Sequence, residues 1–252
     1  MNAFTLKIIA LVSMFIDHIG VVIFPQYFIL RVIGRLAFPI FVYLVAEGFR
    51  HTRSPGKFLM RLGVFAIISE PFYDWAIVGT IADDFPMGVS FLYNTNIFYT
   101  LFLGGAAIVA YDSISKYAKA LADEGRSNSS AFVFASSLLP LVLFMAIAVV
   151  IDADYDAVGV AFIFIMYVIK SFRLRVVAMA LICLWLNINI IEALLLDTRT
   201  ITTLELALVP ATVLATLPVA LYNGERGIGW KWFFYAAYPV HLAILALFRL
   251  AN

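Results

Sequence analysis

Side chains able to move or hold a proton stand inside apolar runs of this sequence. Met14-Phe15-Ile16-Asp17-His18-Ile19-Gly20 carries a carboxylate and an imidazole side by side. Arg35 lies in Ile33-Gly34-Arg35-Leu36-Ala37-Phe38-Pro39, Glu70 and Asp74 flank Pro71-Phe72-Tyr73, and His241 follows Tyr238-Pro239-Val240. A charge at the centre of a bilayer costs about 2.5–3.5 kcal/mol on insertion scales, so such groups pair, line a cavity or do chemistry. Histidine titrates near neutrality and can take a proton from an amine or alcohol and return it. A neighbouring carboxylate would orient the ring, and a guanidinium could hold phosphate, carboxylate or an oxyanion.

Each of these residues also has a structural reading. Asp17 could bridge to Arg35, Arg35 could serve as a helix cross-linker, and His241 could be a satisfied core histidine. Adjacent helical residues point about 100° apart, so Asp17 and His18 are each expected to meet a different helix. The polar exit Arg50, His51, Thr52, Arg53, continued by Lys57 and Arg61, could reflect membrane orientation alone. Its functional reading is an anionic donor docking from the cytosol. There is no Walker loop, no zinc-peptidase spacing and no Gly-x-Ser-x-Gly elbow, and no metal site is expected.

The elements that must position these groups follow from composition. The chain is 64% apolar and 13% charged, with a mean hydropathy of +1.00. Soluble domains run near 45–50% apolar and about 25% charged, so an all-α, polytopic membrane protein is expected, forming one integral-membrane domain over residues 1–252. Cys183, the single cysteine, is expected as a buried thiol. Basic residues are dispersed through loops, which argues against nucleic acid as a partner and leaves membrane lipid as the surroundings.

A crossing needs about 20 largely apolar residues. That ruler gives about nine spans: Leu6–Phe24, Phe28–Phe49, Phe58–Val78, Ile97–Tyr111, Phe132–Ile151, Ala157–Ile169, Val176–Leu196, Leu204–Tyr222 and Trp232–Leu250. The first is read as a retained span, not a removed signal peptide. A turn is expected at Phe24-Pro25-Gln26, a surface helix over Ser113 to Glu124 and a flexible linker over Gly125 to Ser130. Pro39 is expected to kink the second span, and Pro71 and Pro239 to break the third and ninth. The paired Gly104-Gly105 suggests close packing.

Lysines and arginines fall in alternate loops, with Asp83, Asp84, Asp152, Asp154, Asp156 and Asp197 in the others. The positive-inside rule then gives a multi-pass protein of the inner (cytoplasmic) membrane with a cytoplasmic N-terminus and an outward C-terminus. Asp17, His18, Arg35, Asn94, Asn96, Asn189, Glu192 and His241 are expected in the central and outward layer.

Several motifs in fixed order resemble a known family. Leu6-Lys7-Ile8-Ile9-Ala10 through Asp17-His18-Ile19-Gly20, then Ile33 through Phe41 and Glu47-Gly48-Phe49-Arg50-His51-Thr52, are similar to the start of the TraX family, the F-pilin acetylases. Arg61-Leu62 to Ser69-Glu70-Pro71-Phe72-Tyr73-Asp74 resembles its third-helix motif. Tyr222-Asn223-Gly224-Glu225-Arg226-Gly227, Phe234-Tyr235 and Tyr238-Pro239-Val240-His241-Leu242 resemble its ending. Where the family pattern would place Gln-x-x-Asn, this chain has Tyr93-Asn94-Thr95-Asn96.

The resemblance implies an N- or O-acetyltransferase drawing on cytosolic acetyl-CoA, within a broader group of membrane acyltransferases. In that reading His18 is the base, oriented by Asp17 or Glu70. Arg35 or Asn96 stabilises the oxyanion or positions the acyl donor. Arg50, His51, Arg53 and Lys57 meet the phosphates of acetyl-CoA, and Asp74, Asn94 and His241 face an unidentified acceptor, a protein N-terminus or a glycan. The rivals are a proton-coupled transporter or channel built on the same Asp, His and Glu groups, and a scaffold whose charges only fix helix register.

Overall fold

Backbone in lipid must satisfy its own polar groups, which leaves helices or closed barrels as spanning structures. The computed structural model describes residues 1–79, 94–196 and 199–251, and it is helical without a named strand among them. Tyr93, Asp83, Asp84 and Asp197 lie outside the described residues. In chain order the helices are α1 (Ala3–Val22), α2 (Ile29–Gly34), α3 (Ala37–His51), α4 (Pro55–Tyr73, continued by a π-helical turn Asp74–Val78) and α5 (Ile97–Asp123). Then come α6 (Ser127–Ser136), α7 (Leu139–Val150), α8 (Asp156–Val168), α9 (Phe172–Trp185), α10 (Ile188–Leu196), α11 (Thr203–Leu214), α12 (Thr216–Ala220) and α13 (Lys231–Ala251).

Six helical stretches among the described residues are long and apolar enough to cross a membrane, or seven if the α9–α10 pair, bent by 60°, counts as one. The protein is therefore a multi-pass, all-helical membrane protein, and the expected nine is an approximate count. α8 corresponds to the sixth expected span but has only 13 residues. α4 corresponds to the third; its residues include Lys57, Arg61 and Glu70, and it is not among the helices that qualify.

Of Pro39, Pro71 and Pro239, the first acts as expected and the other two do not. The second span is interrupted at Arg35-Leu36, with Pro39 in the first turn of α3. A proline ring clashes with the carbonyl four residues earlier, and that residue is Arg35. Pro71 does not break α4; the helix passes through it and widens into the π-helical turn, where the Gly79 amide reaches the Asp74 carbonyl. α13 likewise runs unbroken through Pro239. The expected surface helix over 113–124 is the continuation of α5, because no glycine or proline interrupts it and Ala118 and Leu121 are buried. The linker shrinks to a turn at Gly125, whose φ of +79° suits glycine, and α6 starts at Ser127.

Packing groups the chain into two compact units. The first holds residues 1–44, 68–79 and 169–251 of the described chain, with Leu6, Ala10, Ile40, Tyr43, Met179, Cys183 and Leu242 in its core. Here the chain start is tied to the turn before α13. The Met1 amino group donates to the Leu221 carbonyl at 2.6 Å, the Ala3 amide donates to Glu225, and Asn2 caps α1 while packing on Gly227. The second unit holds residues 45–67 and 94–168, around Leu62, Ala107, Ile108, Val160, Ile163 and Met166. In it Gly104 and Gly105 admit Ile163 and Phe49 at distances that a Cβ would forbid.

Candidate active site

In the first unit α1 and α2 form a tight hairpin. A Cβ on Gly20 would stand 2.7 Å from the Leu30 side chain, and one on Gly34 would stand 2.1 Å from Asp17 Oδ1. The Asp17 carboxylate therefore lies over bare backbone. Arg31 Nη1 donates to its Oδ2 at 2.7 Å, and Arg35 Nη2 donates to its Oδ1 at 3.4 Å. Arg31 and Arg35, one helical turn apart, reach the same carboxylate. Arg31 was missed by sequence reasoning, although its i, i+4 spacing from Arg35 was a readable signal.

His18 turns the other way, to α13. Its Nδ1 lies 2.7 Å from His241 Nε2, with the two rings inclined by only 13°. His241 Nδ1 lies 2.9 Å from the Ala237 carbonyl. Phe15 covers His241 at 4.5 Å between centroids, and Tyr238 approaches both imidazoles edge-on. Among the described residues the hydrogen-bond partner of His18 is thus His241; Asp17, expected to orient the ring, points to α2 instead. The 100° between neighbouring helical residues is the reason.

Glu70 is fully buried near the end of α4, and Asp74 opens the π-helical turn, half-buried. That turn packs against α1 and α13, and Arg249 of α13 holds its end by donating to the Trp75 carbonyl at 2.8 Å and to the Gly79 carbonyl. Asn189 and Glu192 are exposed. Arg175, near the start of α9, is buried with its guanidinium over the Tyr43 ring.

The remaining expected residues belong to the second unit. Asn96 is buried: its Oδ1 caps α5 by accepting from the Phe98 amide at 2.9 Å, and its Nδ2 donates to the Ala66 carbonyl of α4 at 2.9 Å. Asn94 is exposed with a φ of +55°. Arg50 donates to the Met166 carbonyl at 3.0 Å and to that of Tyr167, closing the C-terminus of α8, where a cation suits the helix dipole. His51 pairs with Glu47 at 3.0 Å, and Arg53 and Lys57 are exposed on the α3–α4 turn.

Chemically, the first unit offers a carboxylate neutralised by two guanidinium groups beside a neutral-capable imidazole pair. Such a set can hold charge without a metal and can accept and return a proton.

The profile of the TraX family, described as TraX protein, matches residues 3–249. The chain belongs to the TraX family. Among curated relatives, this TraX chain is 28% identical over 259 residues to a probable fimbrial assembly protein FimC, serogroup H1, of Dichelobacter nodosus, covering 97% of this chain and 94% of the other. It is also 43% identical over 44 residues to an uncharacterised protein of Rickettsia prowazekii, an overlap of 18% of either chain. No solved structure matches this TraX chain.

Proposed function

We propose that this TraX protein is a membrane-embedded acetyltransferase that moves acetyl from acetyl-CoA to an amine or hydroxyl. The observation that carries the reading is the α1 pair. Asp17 is neutralised by Arg31 and Arg35, while His18 sits on a second histidine with no bond to its Nε2 among the described residues. In the proposed step His18 takes the proton of the acceptor as its nitrogen or oxygen attacks the thioester carbon. The tetrahedral intermediate then expels the thiolate of coenzyme A, and His18 returns the proton to it. Positive charge from Arg31 and Arg35 would favour the developing oxyanion. An acetyl-histidine relay through the same ring is a variant of this step.

Arg53 and Lys57, exposed on the α3–α4 turn, are proposed to meet the phosphates of the donor. Arg50 and Asn96 have structural duties and are proposed as braces. The alternation of loop charge supports a place in the cytoplasmic membrane with the N-terminus inside. The family, and the Dichelobacter relative being a probable fimbrial assembly protein, support a pilin-like protein N-terminus as the acceptor. The test is release of coenzyme A by purified protein in lipid, with an N-terminal pilin peptide as acceptor. His18→Ala should lower kcat by about 10²–10⁴-fold. The histidine pair also suits a proton relay, so vesicle-embedded protein should be assayed for proton or solute flux. Flux without thioester consumption would replace the acetyltransferase reading with the transporter.

A further inference from the structure

We infer that His241 is a positioning residue that fixes the tautomer of His18, keeping the proton on His18 Nδ1 and leaving Nε2 as the basic atom. This rests on the reading of His18 as the proton acceptor, and it deepens that reading by naming the atom and what selects it.

The argument runs along one chain of hydrogen bonds. The Ala237 carbonyl can only accept, so His241 Nδ1, 2.9 Å away, must be the donor and carries a hydrogen. A neutral imidazole has one N–H, which leaves His241 Nε2 with a lone pair. His18 Nδ1 lies 2.7 Å from that lone pair, a separation that requires a hydrogen between the nitrogens. The hydrogen therefore belongs to His18 Nδ1, and the lone pair of His18 falls on Nε2. Free imidazole is not held to this form; here a backbone carbonyl on α13 dictates it through two rings.

The surroundings hold the relay still. His241 is buried, Phe15 lies against it at a tilt of 35°, and the two imidazoles lie nearly parallel. Asp17, next to His18 in sequence, does not compete for His18 Nδ1, since it is occupied by Arg31 and Arg35. When His18 Nε2 gains a proton, the cation that forms keeps its Nδ1–H bonded to His241. His241 can thus orient and stabilise both states of the ring without itself changing protonation.

The experiment is nitrogen-15 NMR of histidine-labelled full-length protein in lipid at neutral pH. The chain has 3 histidines, and His51→Ala removes the exposed one, leaving the pair. Both rings should show a protonated Nδ1 and a bare Nε2. In His241→Ala, His18 should revert to the mixture of tautomers seen for free imidazole. A protonated Nε2 on His18 in the otherwise native protein would overturn the inference. Kinetics supply a second readout. Glutamine places a carbonyl near the Nε2 position and can accept from His18 Nδ1, whereas alanine cannot. His241→Ala should lose about tenfold or more in kcat with little change in KM, and His241→Gln should recover most of it. His241→Gln as slow as His241→Ala, with its native fold intact, would overturn the inference and make His241 a proton carrier. The spectra need no turnover, so a wild type that fails to transfer acetyl sinks the functional reading alone.

Discussion

Asp17 shows how a membrane protein carries a charge it cannot solvate. With Arg31 at 2.7 Å and Arg35 at 3.4 Å, the carboxylate is held by two guanidinium groups at once. Asp17→Asn should therefore cost about 3–5 kcal/mol, because it removes the carboxylate that both arginines reach. Arg31→Gln should cost less, since Arg35 still faces the carboxylate. Thermal unfolding in one detergent orders the two variants. If Asp17→Asn melted like the wild type, the pair would not be holding the hairpin. The residues themselves were legible in the sequence, since charge in an apolar run stands out. The Asp17–Arg35 bridge was legible too, but the other partners were not. A histidine meeting another 223 positions away leaves no local periodicity, and Arg50 and Asn96 bond backbone groups, which every residue has.

At the level of elements, the α1–α2 hairpin depends on missing side chains. Gly34→Ala would drive a methyl into the Asp17 carboxylate, so a loss of about 1–3 kcal/mol is expected together with reduced activity. Gly56→Ala, at an exposed glycine with open space around it, serves as the neutral control. Asn96 makes a contrasting case, because its amide ties α5 to α4. Asn96→Ala should lower stability by about 1 kcal/mol or more through the lost cap while leaving the KM for acetyl-CoA unchanged. A large rise in KM with unchanged melting would restore a donor-binding role. Helix positions were readable from hydropathy, and the turn at Phe24-Pro25-Gln26 falls between α1 and α2 as expected. Helix breaks were read less well, because a proline disturbs the carbonyl four residues before it or is absorbed by a π-helical turn.

Over the whole molecule, the expected orientation turns on which loops face the cytosol. Gln26 and Lys57 are both exposed and lie on either side of the α2–α3 span. The native thiol, Cys183, is buried, so a single introduced cysteine reports cleanly. Impermeant maleimide on intact cells should label Gln26→Cys, whereas Lys57→Cys should react only after lysis. The reverse pattern would invert the topology and move the donor cations to the outer face.

The union of α1 with α13 also sets a timetable. A ribosome delivers α1 to the membrane well before α13, yet His18 finds its partner on α13, and the Met1 amino group rests on the turn that precedes it. A nascent chain stopped before residue 231 holds Asp17, Arg31 and Arg35 but lacks the ring that completes the pair. The histidine pair can therefore come into being only once α13 has been made.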